Sequence, residues 1–130
     1  MAANSVHTPG NAVPALDADL DGLHEDLRGI HPGIDLILDG YRLLALDRHT
    51  ADMTQTLIAA IAGGSDGTNL TNLGGQTIAR LASADSNPAL RDLPLDQQKR
   101  IQLRGETTAF ALNHDQLAQF ASDTSAAITS

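Results

Sequence analysis

The stretch Leu16–Ile30, LDADLDGLHEDLRGI, decides the fold class. Leu16, Leu20, Leu23, Leu27 and Ile30 recur at steps of four, three, four and three, which places them on one face of an α-helix. Pro14 stands just before this helix, and Asp17, Asp19 and Asp21 suit the positive end of its dipole. Gly29 and the pair Pro32-Gly33 end it.

Working outward, the same period returns downstream. A second helix is expected over 34–62, with Ile34, Ile37, Leu38, Tyr41, Leu44 and Ala45 on one stripe. Leu43, Leu46, Met53, Leu57 and Ile61 form a second stripe, so this helix should pack on more than one neighbour. Gly40 and the polar stretch Asp47–Asp52 invite a kink. Gly63–Gly67 reads as a loop. A third helix is expected over 70–84 around Leu70, Leu73, Thr77 and Leu81. After the Pro-broken segment Ser83–Pro94, a fourth is expected over 95–124 around Leu103, Phe110 and Leu117.

Composition points the same way. The 130 residues contain no Trp, one Tyr and two Phe, and Val occurs only at Val6 and Val13. A core of Leu, Ile and Ala is that of packed helices, and β folds lean on other residues. The expected fold is therefore all-α: an antiparallel four-helix bundle over 15–125. Residues 1–14 form a small, polar leader broken by Pro9, Gly10 and Pro14, expected to be disordered. It reads either as an ordinary loose terminus or as an uncleaved type III export signal. Residues 126–130 read as the loose C-terminal end of a fragment.

Several function classes are disfavoured. Without cysteine there is no disulfide framework and no thiolate metal site. No apolar run approaches the roughly 20 residues of a transmembrane helix, and the N-terminus lacks the pattern of a signal peptide. A net charge of −8 opposes general binding to nucleic acid. The opening Asp17-Ala18-Asp19-Leu20-Asp21-Gly22 spells the start of an EF-hand, but its twelfth position is Arg28 where calcium needs a bidentate Glu. His24-Glu25 lacks the second histidine of a zincin, since Arg28 occupies that place too. No Ser or Thr has a recognisable base and oxyanion donor, so no catalytic residue, cofactor or metal is expected, and the chain is read as a binding module.

One asymmetry remains. In an up-down-up-down bundle the first and third turns share an end. Residues 28–33 and 83–104 together hold five of the eight basic residues and only three of the sixteen acids. That expected tip carries Arg28, His31, Arg91, Lys99, Arg100 and Arg104, with Leu90 and Leu93 on a Pro-bounded loop. Cations beside apolar loop residues suit anionic lipid head groups, each contributing about 1 kcal/mol near the surface. The competing local reading pairs the cations with Asp92 and Asp96 and tucks Leu93 into the core.

A polar leader followed by a four-helix domain with a basic tip resembles the N-terminal lipid-raft-targeting domains of Bordetella type III secreted cytotoxins. More loosely, it is similar to the four-helix membrane-localisation domains of large bacterial toxins. The resemblance implies a virulence effector secreted by the type III apparatus, held by a secretion chaperone and sent to the cytoplasmic face of the host plasma membrane. It implies binding of a phosphoinositide, phosphatidylinositol bisphosphate in particular, at the tip. Arg28 and His31 would come from the first loop, and Arg91, Lys99 and Arg100 from the third loop and the start of the fourth helix. Leu90 and Leu93 would be the shallow inserts. The alternative function is a protein-interaction module, chaperone-binding or adaptor-like, and a filament subunit is a third.

Overall fold

Asp17 begins the first helix by accepting the Leu20 N–H at 2.8 Å on its side chain. The computed structural model describes residues 12–64 and 66–129, and among them it contains six α-helices and no strand. They are α1 (Ala18–Leu27), α2 (Pro32–Leu46), α3 (Ala51–Ala62), α4 (Leu70–Leu81), α5 (Leu95–Leu112) and α6 (Asp115–Ala126), with a short 3-10 turn at Pro88–Leu90. The all-α expectation stands. The count of four helices does not, because two of the expected helices are each broken into two. Residues 1–11 of the expected leader, and Ser130 at the other end, lie outside the described residues.

Both breaks have local causes. After α2, the Arg48 N–H would continue the helical ladder to the Leu44 carbonyl. Instead it donates to Asp47 Oδ1 at 2.9 Å, and the His49 ring N–H donates to the Leu44 carbonyl at 2.7 Å. Side chains have taken both ends of one rung, the competition that short polar residues offer a helix. After α5, the Asn113 N–H is shared between Ala109 and Phe110, and the His114 N–H turns back to Ala111. His114 Nδ1 then accepts the Gln116 N–H at 3.1 Å and caps α6.

The described residues fall into two compact units, divided between Thr50 and Ala51. In the first, α1 and α2 are an antiparallel hairpin. Gly29 turns it with φ +89°, a conformation that favours glycine. Asp35 accepts the Gly29 N–H at 2.9 Å, and ion pairs join Arg28 to Asp39 at 2.7 Å and Arg42 to Asp21 at 3.2 Å. Among the described residues, Leu38 and His24 are the buried ones of this unit, and His24 Nδ1 has no hydrogen-bond partner.

In the second unit the chain runs out through α3 and α4, turns over 82–94 and returns through α5 and α6, so that α4 packs on α5 and α3 on α6. The seams are made of small residues. A Cβ on Gly75 would stand 3.1 Å from Ala109 Cα, and one on Gly105 would stand 2.5 Å from Ala82 Cβ. Gly63, Gly75, Gly105 and Ala109 are this unit's buried residues among those described. At the other seam Gln55 and Ser125 exchange reciprocal side-chain-to-carbonyl bonds, each of 3.0 Å. Backbones that close have room for no large side chain between them, so Leu73, Leu81, Leu103, Phe110 and Phe120 stand on the outside.

Candidate functional site

The expected tip residues divide between the two units. Arg28 and His31 belong to the first, and both side chains already have structural work. Arg28 donates to Asp39, a hydrogen bond that, with the nearby Asp35 charge, raises its pKa above the ordinary guanidinium value. His31 caps α2, its Nδ1 accepting the Gly33 N–H at 2.8 Å with Pro32 next in the chain. An imidazole accepting at Nδ1 carries no proton on that atom.

In the second unit, the loop before α5 is closed by its own side chains. Arg91 donates from Nε to the Ala84 carbonyl at 2.8 Å and from Nη2 to that of Asp85 at 3.1 Å. Gln98 reaches back from α5 to the Leu93 carbonyl at 2.7 Å, and Asn87 donates to Leu81 at 2.8 Å. Leu90 and Leu93 are half-buried in this knot, so the loop does not present them as fully exposed inserts. Arg91 serves as the loop's clasp.

The remaining three cations lie together on α5. Among the described residues, Lys99 and Arg104 have no carboxylate or hydrogen-bond partner for their side chains. Arg100 stands 3.5 Å from Asp96, an exposed i, i+4 pair of the sort that contributes little. Asp92, the other carboxylate expected to neutralise this region, makes no ion pair among the described residues. Arg100, Leu103, Arg104, Thr107 and Thr108 line one shallow, open depression. Leu103 and Phe110, a heptad apart on the side of α5 turned away from α4, are 66% and 73% exposed. Among the described residues no helix is long and apolar enough to cross a membrane, and no His, Asp or Glu cluster has the makings of a metal site.

No protein-family model, curated protein or solved structure matches this chain. The α5 face has a chemistry of its own. That chemistry is an exposed helix face with cations beside large apolar side chains, and with no enclosed cavity among them.

Sequence reading placed Lys99, Arg100 and Arg104 in the site but missed their apolar companions. Leu103 and Phe110 read as core because they sit on the strongest stripe of the fourth predicted helix. The signal against that reading is the second periodicity on the same helix: Gly105, Ala109 and Leu112 at steps of four and three. Together with Gly75, Ala79 and Ala82, that series marks the true contact.

Proposed function

We propose that this chain is a membrane-surface targeting module, not an enzyme, and that it binds anionic phosphoinositide-type lipid through the exposed face of α5. The observation that carries the reading is the company Lys99, Arg100 and Arg104 keep with Leu103 and Phe110 on one exposed helix. Such a helix lies in the interface plane, its apolar side chains at the boundary of the acyl region and its cations among phosphates. Three cations at about 1 kcal/mol each, offset in part by Asp96 and Glu106 on the same face, and two partly inserted side chains adding about 3–4 kcal/mol, set a dissociation constant of roughly hundreds of micromolar. Arg28, His31 and Arg91 have other partners, so the α5 face carries the reading without them.

In the wider form of this proposal the chain belongs to a type III secreted effector. The polar leader is its export signal, a secretion chaperone is its partner before export, and the host plasma membrane is its destination. The polar composition of 1–14 and the lack of cysteine agree with that form.

The test is co-sedimentation with neutral liposomes and with liposomes containing phosphatidylinositol bisphosphate. Wild type should pellet with the charged vesicles only, and less so as salt rises. Lys99→Glu/Arg100→Glu, with helicity checked by circular dichroism, should stay in the supernatant. Failure of the folded wild type to bind at low salt would end the lipid reading. The second reading, a protein-interaction module, draws on α2, where Leu36 and Leu43 stand exposed on either side of Asp39.

A further inference from the structure

The α1–α2 hairpin has two unlike faces. The ion pairs Arg28–Asp39 and Arg42–Asp21 lace one side of it, with Glu25 beside them. These pairs put the turn end of α1 by the middle of α2 and the start of α1 by the end of α2, so the helices are antiparallel. In an antiparallel pair, positions rotated in the same sense from the contact line share a side. By that rule the opposite side carries Leu20, Leu23 and Leu27 of α1 with Ile37 and Tyr41 of α2.

These five side chains are 37% to 58% exposed. They amount to an apolar area of roughly 400 Å², within the roughly 300–600 Å² of the largest, often functional, patch on an ordinary monomer.

The rim of this surface names the occupant. Asp19 and Asp26 flank Leu23 at i−4 and i+3, both exposed and, among the described residues, both without a side-chain ion pair or hydrogen bond. Residues 12–50 hold eight carboxylates against three arginines, a balance of −5, and two of those arginines are held in the ion pairs on the other face. A second copy docked face to face would set acidic rim against acidic rim, and an anionic membrane would be repelled in the same way. We infer that the apolar face of the α1–α2 hairpin docks a basic amphipathic helix of a partner protein, its leucine-type stripe on the Leu23–Ile37 surface and its Lys or Arg flanks on Asp19 and Asp26. Helix-in-groove recognition supplies the affinity, and the rim charges supply orientation and discrimination. This surface shares no residue with the α5 face, so it stands whether or not that face binds lipid.

The experiment uses the full chain and a fluorescent amphipathic helical peptide of about 18 residues, five turns, built from Leu and Lys. A Leu and Glu peptide of the same pattern is the comparison. By fluorescence anisotropy the Leu/Lys peptide should bind at micromolar concentrations and the Leu/Glu peptide at least tenfold more weakly. Leu23→Asp/Ile37→Asp should weaken binding of the Leu/Lys peptide at least tenfold. The milder Asp19→Asn/Asp26→Asn, which leaves the apolar face whole, should weaken it several-fold and flatten its salt dependence. Lys99→Glu/Arg100→Glu should leave it unchanged, which separates this site from the lipid reading. Equal affinity for both peptides would overturn the inference. So would binding indifferent to Leu23 and Ile37, equal weakening by Asp115→Asn/Asp123→Asn in the other unit, or a dimer in sedimentation velocity that Leu23→Asp/Ile37→Asp dissolves.

Discussion

Gly105 tests the packing of the second unit most directly. A methyl group there would stand 2.5 Å from Ala82 Cβ and 3.5 Å from Ala79 Cα. Carbon atoms rest at about 3.5–4.0 Å, so Gly105→Ala must open the α4–α5 seam by roughly 1 Å at its closest point. Overpacking of this kind costs about 1–3 kcal/mol, against which alanine's better helix propensity returns about 0.8–1 kcal/mol. The expected net effect is a destabilisation of about 1 kcal/mol. Gly74, one residue from the seam glycine Gly75, has nothing within 4 Å of its added Cβ, so Gly74→Ala should stabilise by about 0.8–1 kcal/mol. Two Gly→Ala changes on paired helices are thus expected to have opposite signs, with melting temperatures roughly 10 °C apart for a unit of this size. Urea and thermal unfolding followed by far-ultraviolet circular dichroism would read both. Ala82→Gly, which removes the opposing methyl at the end of α4, should restore much of the loss in the Gly105→Ala background. If Gly105→Ala stabilises as Gly74→Ala does, the small-residue seam is wrong.

Two further outcomes follow from the loop between α3 and α4. Asn69 caps α4 by accepting the Asn72 N–H at 2.7 Å and also donates to the Gly63 carbonyl at 2.8 Å, so Asn69→Ala should cost about 1–2 kcal/mol in the same unfolding assays. The Asp66 carboxylate accepts the Thr68 backbone N–H at 3.0 Å and, secondarily, the Thr68 hydroxyl, and both lower its pKa. A depressed carboxylate stabilises the fold above its ordinary range and loses that contribution as pH falls through the folded value. Carboxyl chemical shifts followed with pH should therefore show Asp66 titrating below the free-aspartate range, and Thr68→Gly, which deletes the hydroxyl, should move it only part of the way back.

Much of this protein was legible from its residues alone. The steps of four and three from Leu16 to Ile30 place α1 within two or three residues, because a helix face reports its own period whatever it packs on. The glycine loop at 63–67 and the Pro-broken segment 83–94 interrupt the helices where expected, since glycine and proline act through the local backbone. Lys99, Arg100 and Arg104 were recognisable as a cluster because three cations within six positions of one helix must lie near one another.

Other features were settled only by tertiary structure. Whether Asp47 and His49 would compete for the Leu44 rung, or His114 turn into a cap, depends on side-chain geometry that a hydrophobic stripe does not encode. Periodicity says that Leu103 and Phe110 share a face, but not whether that face points in or out. The small-residue series through Gly105 and Ala109 let two backbones meet and so turned the larger side chains outward. Arg28 and Arg91 show the same limit for charge. A sequence counts cations, and only the fold reveals which of them Asp39 and the Ala84 carbonyl have already claimed.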